Sequence, residues 1–239
     1  MTVLGPAAPP VQPRVTGAPG LPSWRRPLAV VAHPDDESFG LGAVLSGFVT
    51  EKATPSVLCL TRGEASTLHG VEGDLHSIRA AELTAAATLL GLARVDLRDH
   101  PDGDLATTSP LTLANAVVDT ARATRSDGFL VFDVTGVTGH PDHTAATQAA
   151  LAAADVLDLP VLAWTLPQEI AVTLNTELGT SFLGRPAERI DLHVRVDRRR
   201  QILAVHAHPS QAVPGSALWR RLELLGDTEH LRWLRHPDR

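Results

Sequence analysis

Leu28-Ala29-Val30-Val31-Ala32-His33-Pro34-Asp35-Asp36-Glu37-Ser38 joins a short apolar run to one imidazole and three carboxylates. The apolar run has the length of a buried strand, and the polar residues begin where that strand should end. Carboxylates this close repel one another and raise each other's pKa, so a divalent cation or a set of arginines is their natural complement. His33 and Asp36 lie three apart in a tight turn and can chelate one ion. Their nitrogen and oxygen donors suit zinc or another first-row divalent metal. Pro34 pushes His33 out of the helical region and stiffens the turn. The plain alternative is a helix N-terminus whose acids complement the dipole, with His33 incidental.

Working outward, residues 40–51 read as a helix with Leu41, Val44, Leu45 and Phe48 on its apolar face, and residues 56–61 as the next strand. A polar loop over 62–73 is long enough to be functional. An Ala-rich helix over 76–90 ends at Gly91. A short strand over 95–98, the loop Asp99-His100-Pro101-Asp102-Gly103, a helix over 110–125 opened by Pro110 and a strand over 129–132 follow. This alternation predicts an α/β fold, a Rossmann-like parallel sheet sandwiched by helices. In such sheets ligands bind beyond the carboxyl ends of the strands, where the strand order reverses. With the order 3-2-1-4-5, the first and fourth strands are neighbours there, and the loops that follow them should meet.

The loop after the fourth strand reads Asp133-Val134-Thr135-Gly136-Val137-Thr138-Gly139-His140-Pro141-Asp142-His143 and opens a helix running to about residue 154. It supplies the missing metal partner. His33, Asp36 and either His140 or His143 make a three-ligand site with one open position, the pattern of a catalytic rather than a structural zinc. Further on, 161–164 is a fifth strand. Residues 169–174 and 190–196 alternate apolar and polar positions, as two strands with one exposed face would. Residues 198–207 and 216–225 read as helices, giving a smaller C-terminal β/α portion. There are no repeats and no internal linker. The expected organisation is a Pro/Gly-rich flexible tail over 1–22 and one domain over 23–239.

Composition narrows the function. At 239 residues the chain has room for a sizeable core. Its net charge of −6 and lack of a basic run speak against nucleic acid. The single cysteine, Cys59, lies inside an apolar strand and reads as a core thiol. The N-terminus lacks the basic start and continuous apolar stretch of a signal peptide, and no run approaches the roughly 20 apolar residues that span a bilayer. A soluble, cytoplasmic protein with a small-molecule substrate is expected; a homo-oligomer is compatible with the sequence.

HPDDE after the first strand and HPDH after the fourth resemble the signature motifs of the PIG-L/LmbE family, metal-dependent deacetylases that include enzymes of the mycothiol and bacillithiol pathways. Thr61-Arg62-Gly63-Glu64, Arg79-Ala80-Ala81-Glu82-Leu83, Pro101-Asp102-Gly103 and His208-Pro209-Ser210-Gln211 are similar to further family stretches, so the resemblance spans residues 28–211. It implies a metal-dependent hydrolase that removes the acetyl group from an N-acetylglucosamine derivative; the donor set suits zinc and leaves ferrous iron open, since two histidines and one carboxylate also form the facial triad of non-haem iron. It also implies His33, Asp36 and His143 as metal ligands, Asp35 as general base toward the metal-bound water, and His140 as the charged or proton-donating partner. Arg79 and Asp102 would bind substrate. Asp142, two residues from His140, could hold that imidazole's tautomer as a supporting acid. Glu37 is given no chemical step beyond orienting its loop. Two rivals stand beside this reading: an amidase acting on another acyl-amine or a thiol-glycoside conjugate, and a metal-containing sugar- or metabolite-binding protein without turnover. Asp35 and His140, needed for proton transfer but not for holding metal, weigh against the second. A nucleotide site is weaker still, because acids stand where a pyrophosphate would have to bind.

Overall fold

The computed structural model describes residues 20–67 and 71–237, so most of the expected N-terminal tail lies outside the described residues. Strands β1 (Pro27–Val31), β2 (Ser56–Thr61), β3 (Arg94–His100), β4 (Gly128–Phe132) and β5 (Val161–Pro167) run parallel in the order β3-β2-β1-β4-β5. The short β6 (Gly184–Arg185) pairs with the end of β5. Beyond β5 the sheet continues through two antiparallel strands, β8 (Thr228–Arg235) and then β7 (Leu192–Arg195). The sheet is thus mostly parallel, with an antiparallel edge.

Strand side chains alternate between two apolar layers, as the two-residue period of a strand requires. Ala29, Val31, Val57, Cys59, Leu130, Phe132, Leu162 and Trp164 belong to one layer. Leu28, Val30, Leu58, Leu60, Phe129, Val131, Val161 and Ala163 belong to the other. The first layer is closed by α2 (Gly42–Thr50) and α3 (Leu75–Leu90) through Val44, Leu45, Phe48, Leu83 and Leu90, and by α7 (Arg199–His206) through Ala204. The second is closed by α4 (Pro110–Thr124) and α5 (Pro141–Leu157), where Ala146, Ala149, Ala150, Ala153 and Ala154 let the helix backbone approach closely. Strands covered on both faces read as continuous apolar runs, which is why β1, β2 and β4 were legible from sequence. A four-residue helix, α1 (Asp36–Phe39), separates β1 from α2. Among the described residues, no helix is long and apolar enough to cross a membrane.

Two expectations fail in the C-terminal third. Residues 169–174 are not a strand but part of α6 (Gln168–Leu178). The apparent alternation there is broken by exposure: Val172 is exposed, while Ala171 and Leu174, three apart, form the buried stripe. Pro167 before the helix and Gly179 in a left-handed conformation after it are its end signals. The expected strand over 190–196 does form, as β7, with Leu192 and Val194 buried. The second failure is an omission. β8, for which the sequence held no expectation, follows α8 (Ala217–Leu225) and places Glu229 inward, where an apolar residue would have signalled a strand. Its carboxylate is satisfied there by the Trp164 indole at 2.7 Å and by Arg198.

Candidate metal and active site

The β1–β4 adjacency brings the two motifs together, as the strand order requires. Asp36 leads α1 from the end of β1, and its Oδ2 accepts the backbone N–H groups of Ala32 (3.1 Å) and His33 (3.0 Å). His143 lies in the first turn of α5, and its Nε2 is 3.1 Å from Asp36 Oδ1. His33 Nδ1 faces His143 Nε2 at 3.2 Å. Donor atoms of His33, Asp36 and His143 all lie within 4.8 Å of one another, and the three residues are buried.

The tautomers follow from the partners. His143 Nδ1 lies 3.0 Å from the Gly136 carbonyl, which can only accept, so the proton sits on Nδ1 and the Nε2 lone pair faces Asp36. His33 Nε2 lies 3.0 Å from Asp102 Oδ1 and 3.3 Å from Asp142 Oδ2, so its proton sits on Nε2 and its Nδ1 lone pair faces His143. With both rings neutral, two imidazole lone pairs and a carboxylate converge on one point. That donor set, with carboxylates behind the histidine, fits a divalent cation. A second grouping of His33, His140 and Asp142 is less suited, because both Asp142 oxygens already accept backbone amides, from Gly103 (2.8 Å) and Leu105 (3.1 Å). Without a cation the cluster holds protons instead. Burial opposes charging of His33, but hydrogen bonds to Asp102 and Asp142 and the nearby Asp36 outweigh it and raise its pKa to about 10. Burial likewise opposes the low pKa of Asp36, which His143 nonetheless pulls well below the carboxylate range.

Asp35 stands beside this cluster with φ at 134°, a conformation rare for a residue with a side chain. Glu37 Oε2 accepts the Asp35 N–H at 3.0 Å, and Arg79 Nη2 donates to Asp35 Oδ2 at 2.9 Å. Burial raises the Asp35 pKa, Arg79 lowers it and Asp36 raises it again, leaving it at about 6. That value suits a group that exchanges protons near neutrality. His140 is exposed at the mouth of α5, 4.8 Å ring to ring from His33. Burial of part of the ring, with His33 and His143 beside it, lowers its pKa, which disfavours a resting positive charge, one of the two roles the resemblance implied.

Three other predicted residues have partners that spacing did not foretell. Arg79 is buried, and besides Asp35 it donates to the carbonyls of Pro34 (2.5 Å) and Gly63 (2.6 Å). Its guanidinium holds the motif's backbone rather than standing open to solvent. Asp102 turns its carboxylate to His33 and to the Ala65 N–H at 2.9 Å. Asp142 supports His33, not the His140 tautomer: His140 Nδ1 accepts the Asp142 backbone N–H at 3.2 Å instead. His208, from the C-terminal His-Pro-Ser-Gln stretch, is fully buried and binds Glu37 Oε1 at 2.8 Å, while Ser210 binds Glu82 through both N–H and hydroxyl. These contacts tie that stretch to α1 and α3, a role sequence left open. A cavity of about 580 Å³ lies over the cluster, lined by His33, Asp35, His143, Asp102 and His140 among others.

A doubly wound α/β protein with a His-Asp-His cluster that could hold a metal ion, and a strained carboxylate beside it at the switch point, is the class that fold and geometry define. Within that class the match is specific: residues 28–154 fit the PIG-L family, described as GlcNAc-PI de-N-acetylase, and the chain belongs to that family. A 1D-myo-inositol 2-acetamido-2-deoxy-alpha-D-glucopyranoside deacetylase of Nakamurella multipartita is 30% identical over 252 aligned positions, covering 80% of this chain and 81% of the relative. Among solved structures, a deacetylase of the teicoplanin biosynthesis pathway superposes with a TM-score of 0.66 at 20% identity, covering 90% of this chain and 100% of that one. GalB, the 4-carboxy-2-hydroxymuconate hydratase of Pseudomonas putida, superposes almost as well, with a TM-score of 0.65 at 17% identity over 89% and 97% of the two chains. The sheet alone therefore does not name the reaction; the residues at its switch point must.

Proposed function

We propose that this protein is a metal-dependent N-deacetylase that hydrolyses the N-acetyl amide of an N-acetylglucosamine derivative, with zinc as the metal and His33, Asp36 and His143 as its ligands. The observation that carries this reading is the convergence of two imidazole lone pairs and the Asp36 carboxylate next to Asp35, a carboxyl with a pKa of about 6. Family membership and the 30%-identical deacetylase support the reaction class. Two histidines and one carboxylate also suit ferrous iron, which makes it the competing ion.

A divalent cation in this site would polarise the amide carbonyl and make water more acidic. Asp35 takes the proton of the water that attacks the carbonyl carbon. Its backbone is fixed by Glu37 and its carboxylate by Arg79, so it needs little reorganisation. Cleavage of the C–N bond needs a proton on the departing nitrogen, and Asp35 returns it or His140, at the cavity mouth, supplies it. Asp102 and Asp142 keep the His33 proton on Nε2. The amino-sugar substrate and a cytoplasmic location belong to this same proposal.

The test is acetate release from a panel of N-acetylglucosamine conjugates by zinc-loaded protein, beside a chelated control. Expected are release that disappears with chelator, an Asp35→Asn variant that keeps its metal while kcat falls at least 100-fold, and a His143→Ala variant that loses both. Unchanged turnover in Asp35→Asn would remove the general-base role. Stoichiometric metal without release from any conjugate would remove the deacetylase reading.

A further inference from the structure

Arg221 on α8 is only 6% exposed, yet among the described residues no carboxylate lies within ion-pair distance of it. Its Nη2 donates to the Phe39 carbonyl at 2.6 Å, and its buried Nε finds no acceptor. The guanidinium carbon lies 5.1 Å from the centre of the Trp164 ring. Other arginines are differently placed: Arg79 pairs with Asp35, Arg198 with Glu229, and Arg185 and Arg232 with Asp133. Glu229, the acid whose charge acts most on it through space, ahead of Asp36 and Asp35, is already satisfied by Trp164 Nε1 and Arg198. Burial lowers the Arg221 pKa to about 10, with Glu229 working the other way, so the group remains cationic at neutral pH.

An unpaired guanidinium withheld from water is costly unless something negative arrives. Arg221 lines the same cavity as the metal cluster, together with Phe39, Phe132, Trp164, Phe182 and Leu218. The apolar walls would strengthen an ionic contact, and Trp164 is a fixed platform because its indole N–H is held by Glu229. A planar guanidinium with unused N–H groups matches a carboxylate or phosphate. The cavity, at about 580 Å³, is far larger than an acetyl group, so the anion belongs to the part of the substrate that remains after deacetylation. We propose that Arg221 makes this cavity selective for an amino-sugar substrate carrying a carboxylate or phosphate on its aglycone. The inference rests on the deacetylase reading. It sets this chain apart from a preference for the neutral inositol glycoside in the name of its Nakamurella relative.

The experiment uses the zinc-loaded full chain and four matched aryl glycosides of N-acetylglucosamine: phenyl, 4-carboxyphenyl, 4-phosphophenyl and 4-(trimethylammonio)phenyl. The expected result is kcat/KM at least tenfold higher for the anionic pair than for phenyl, expressed mainly in KM, with the cationic member below phenyl. The ranking of carboxylate against phosphate identifies which anion the site takes. Arg221→Met should bring the anionic-to-neutral ratio close to one, and Arg221→Lys should keep part of it. Calorimetric binding of the four deacetylated amines should show the same order and needs no turnover. Equal kcat/KM and equal binding across the parent's panel would overturn the proposal, as would an Arg221→Met variant that loses activity on all members while keeping the ratio. Failure of the deacetylase reading looks different: no member is turned over, while the binding order still reports on Arg221.

Discussion

Asp35 is held at a backbone angle that costs about 1–3 kcal/mol for a residue with a side chain, so its surroundings must impose it. Glu37 is the residue that does so most directly. One of its oxygens accepts the Asp35 N–H, and the other accepts from Ser38 Oγ (2.6 Å) and lies 2.8 Å from His208 Nε2. A carboxylate can serve all of these donors at once, whereas an amide turns one NH₂ toward a donor and loses at least one contact. Burial opposes protonation of His208, but the Glu37 charge raises its pKa, which makes this a charge-assisted contact in a fully enclosed place. Glu37→Gln should therefore lower kcat by about 10–100-fold, the range seen when a partner behind a metal or catalytic residue is removed. Zinc content should stay near one per chain and KM should change little, since the metal ligands and cavity walls keep their own supports. Atomic emission on the purified variant, alongside steady-state kinetics, checks this. Loss of metal in step with activity would mean that Glu37 supports the ligands rather than Asp35.

At the scale of elements, the loop between β4 and α5 does the work of bringing His143 to Asp36. Gly136 carries it, with φ at 71° and its carbonyl oriented onto His143 Nδ1. A methyl group there would come within 2.9 Å of the His140 carbonyl and 3.1 Å of His143 Cβ. Gly136→Ala should cost about 1–3 kcal/mol of stability from the strained conformation and displace the first turn of α5. Metal affinity should fall at least tenfold, a loss that competition against a chromophoric chelator would measure; unchanged affinity would show that the loop tolerates the shift. The same loop shows what sequence reveals and what it hides. The strand order, the meeting of the two motifs and a cluster of His33, Asp36 and either His140 or His143 were legible because buried parallel strands are continuous apolar runs and the switch point follows from their order; the choice of His143 came only from the family resemblance. The partners of Asp102, Asp142 and Arg79 were not, because they depend on how β3's loop and α3 lean over β1, which no local pattern encodes. α6 was misread for a related reason: Ile170, Val172 and Leu174 alternate in sequence, but which of them is buried is decided by neighbouring elements. β8 escaped notice because its inward Glu229 is satisfied by residues 65 and 31 positions away, Trp164 and Arg198.

For the whole molecule, the consequence of building the candidate site at the switch point is that a bound metal would couple to folding. The candidate ligands come from β1's end and from α5, and the supporting Asp142 also clamps the Gly103 and Leu105 amides that follow β3. Three segments far apart in sequence meet only in the folded chain, so the unfolded chain offers no comparable site. A ligand that binds the native state alone stabilises it by about 2.7 kcal/mol at a free concentration 100 times its Kd. For a domain of this size, that corresponds to a rise in Tm of about 5–10 °C. Zinc added to chelated protein at that ratio should produce this shift in a thermal melt, and chelator should reverse it. His143→Ala provides the control: it removes one ligand, so its melting temperature should respond to zinc by no more than about 2 °C, whatever the variant's own stability. If the parent and His143→Ala shift equally, the stabilising ion sits elsewhere and the His33, Asp36 and His143 assignment falls. If only the parent shifts, the same three residues that define the chemistry also join the two halves of the sheet, and loss of metal weakens the fold along with the activity.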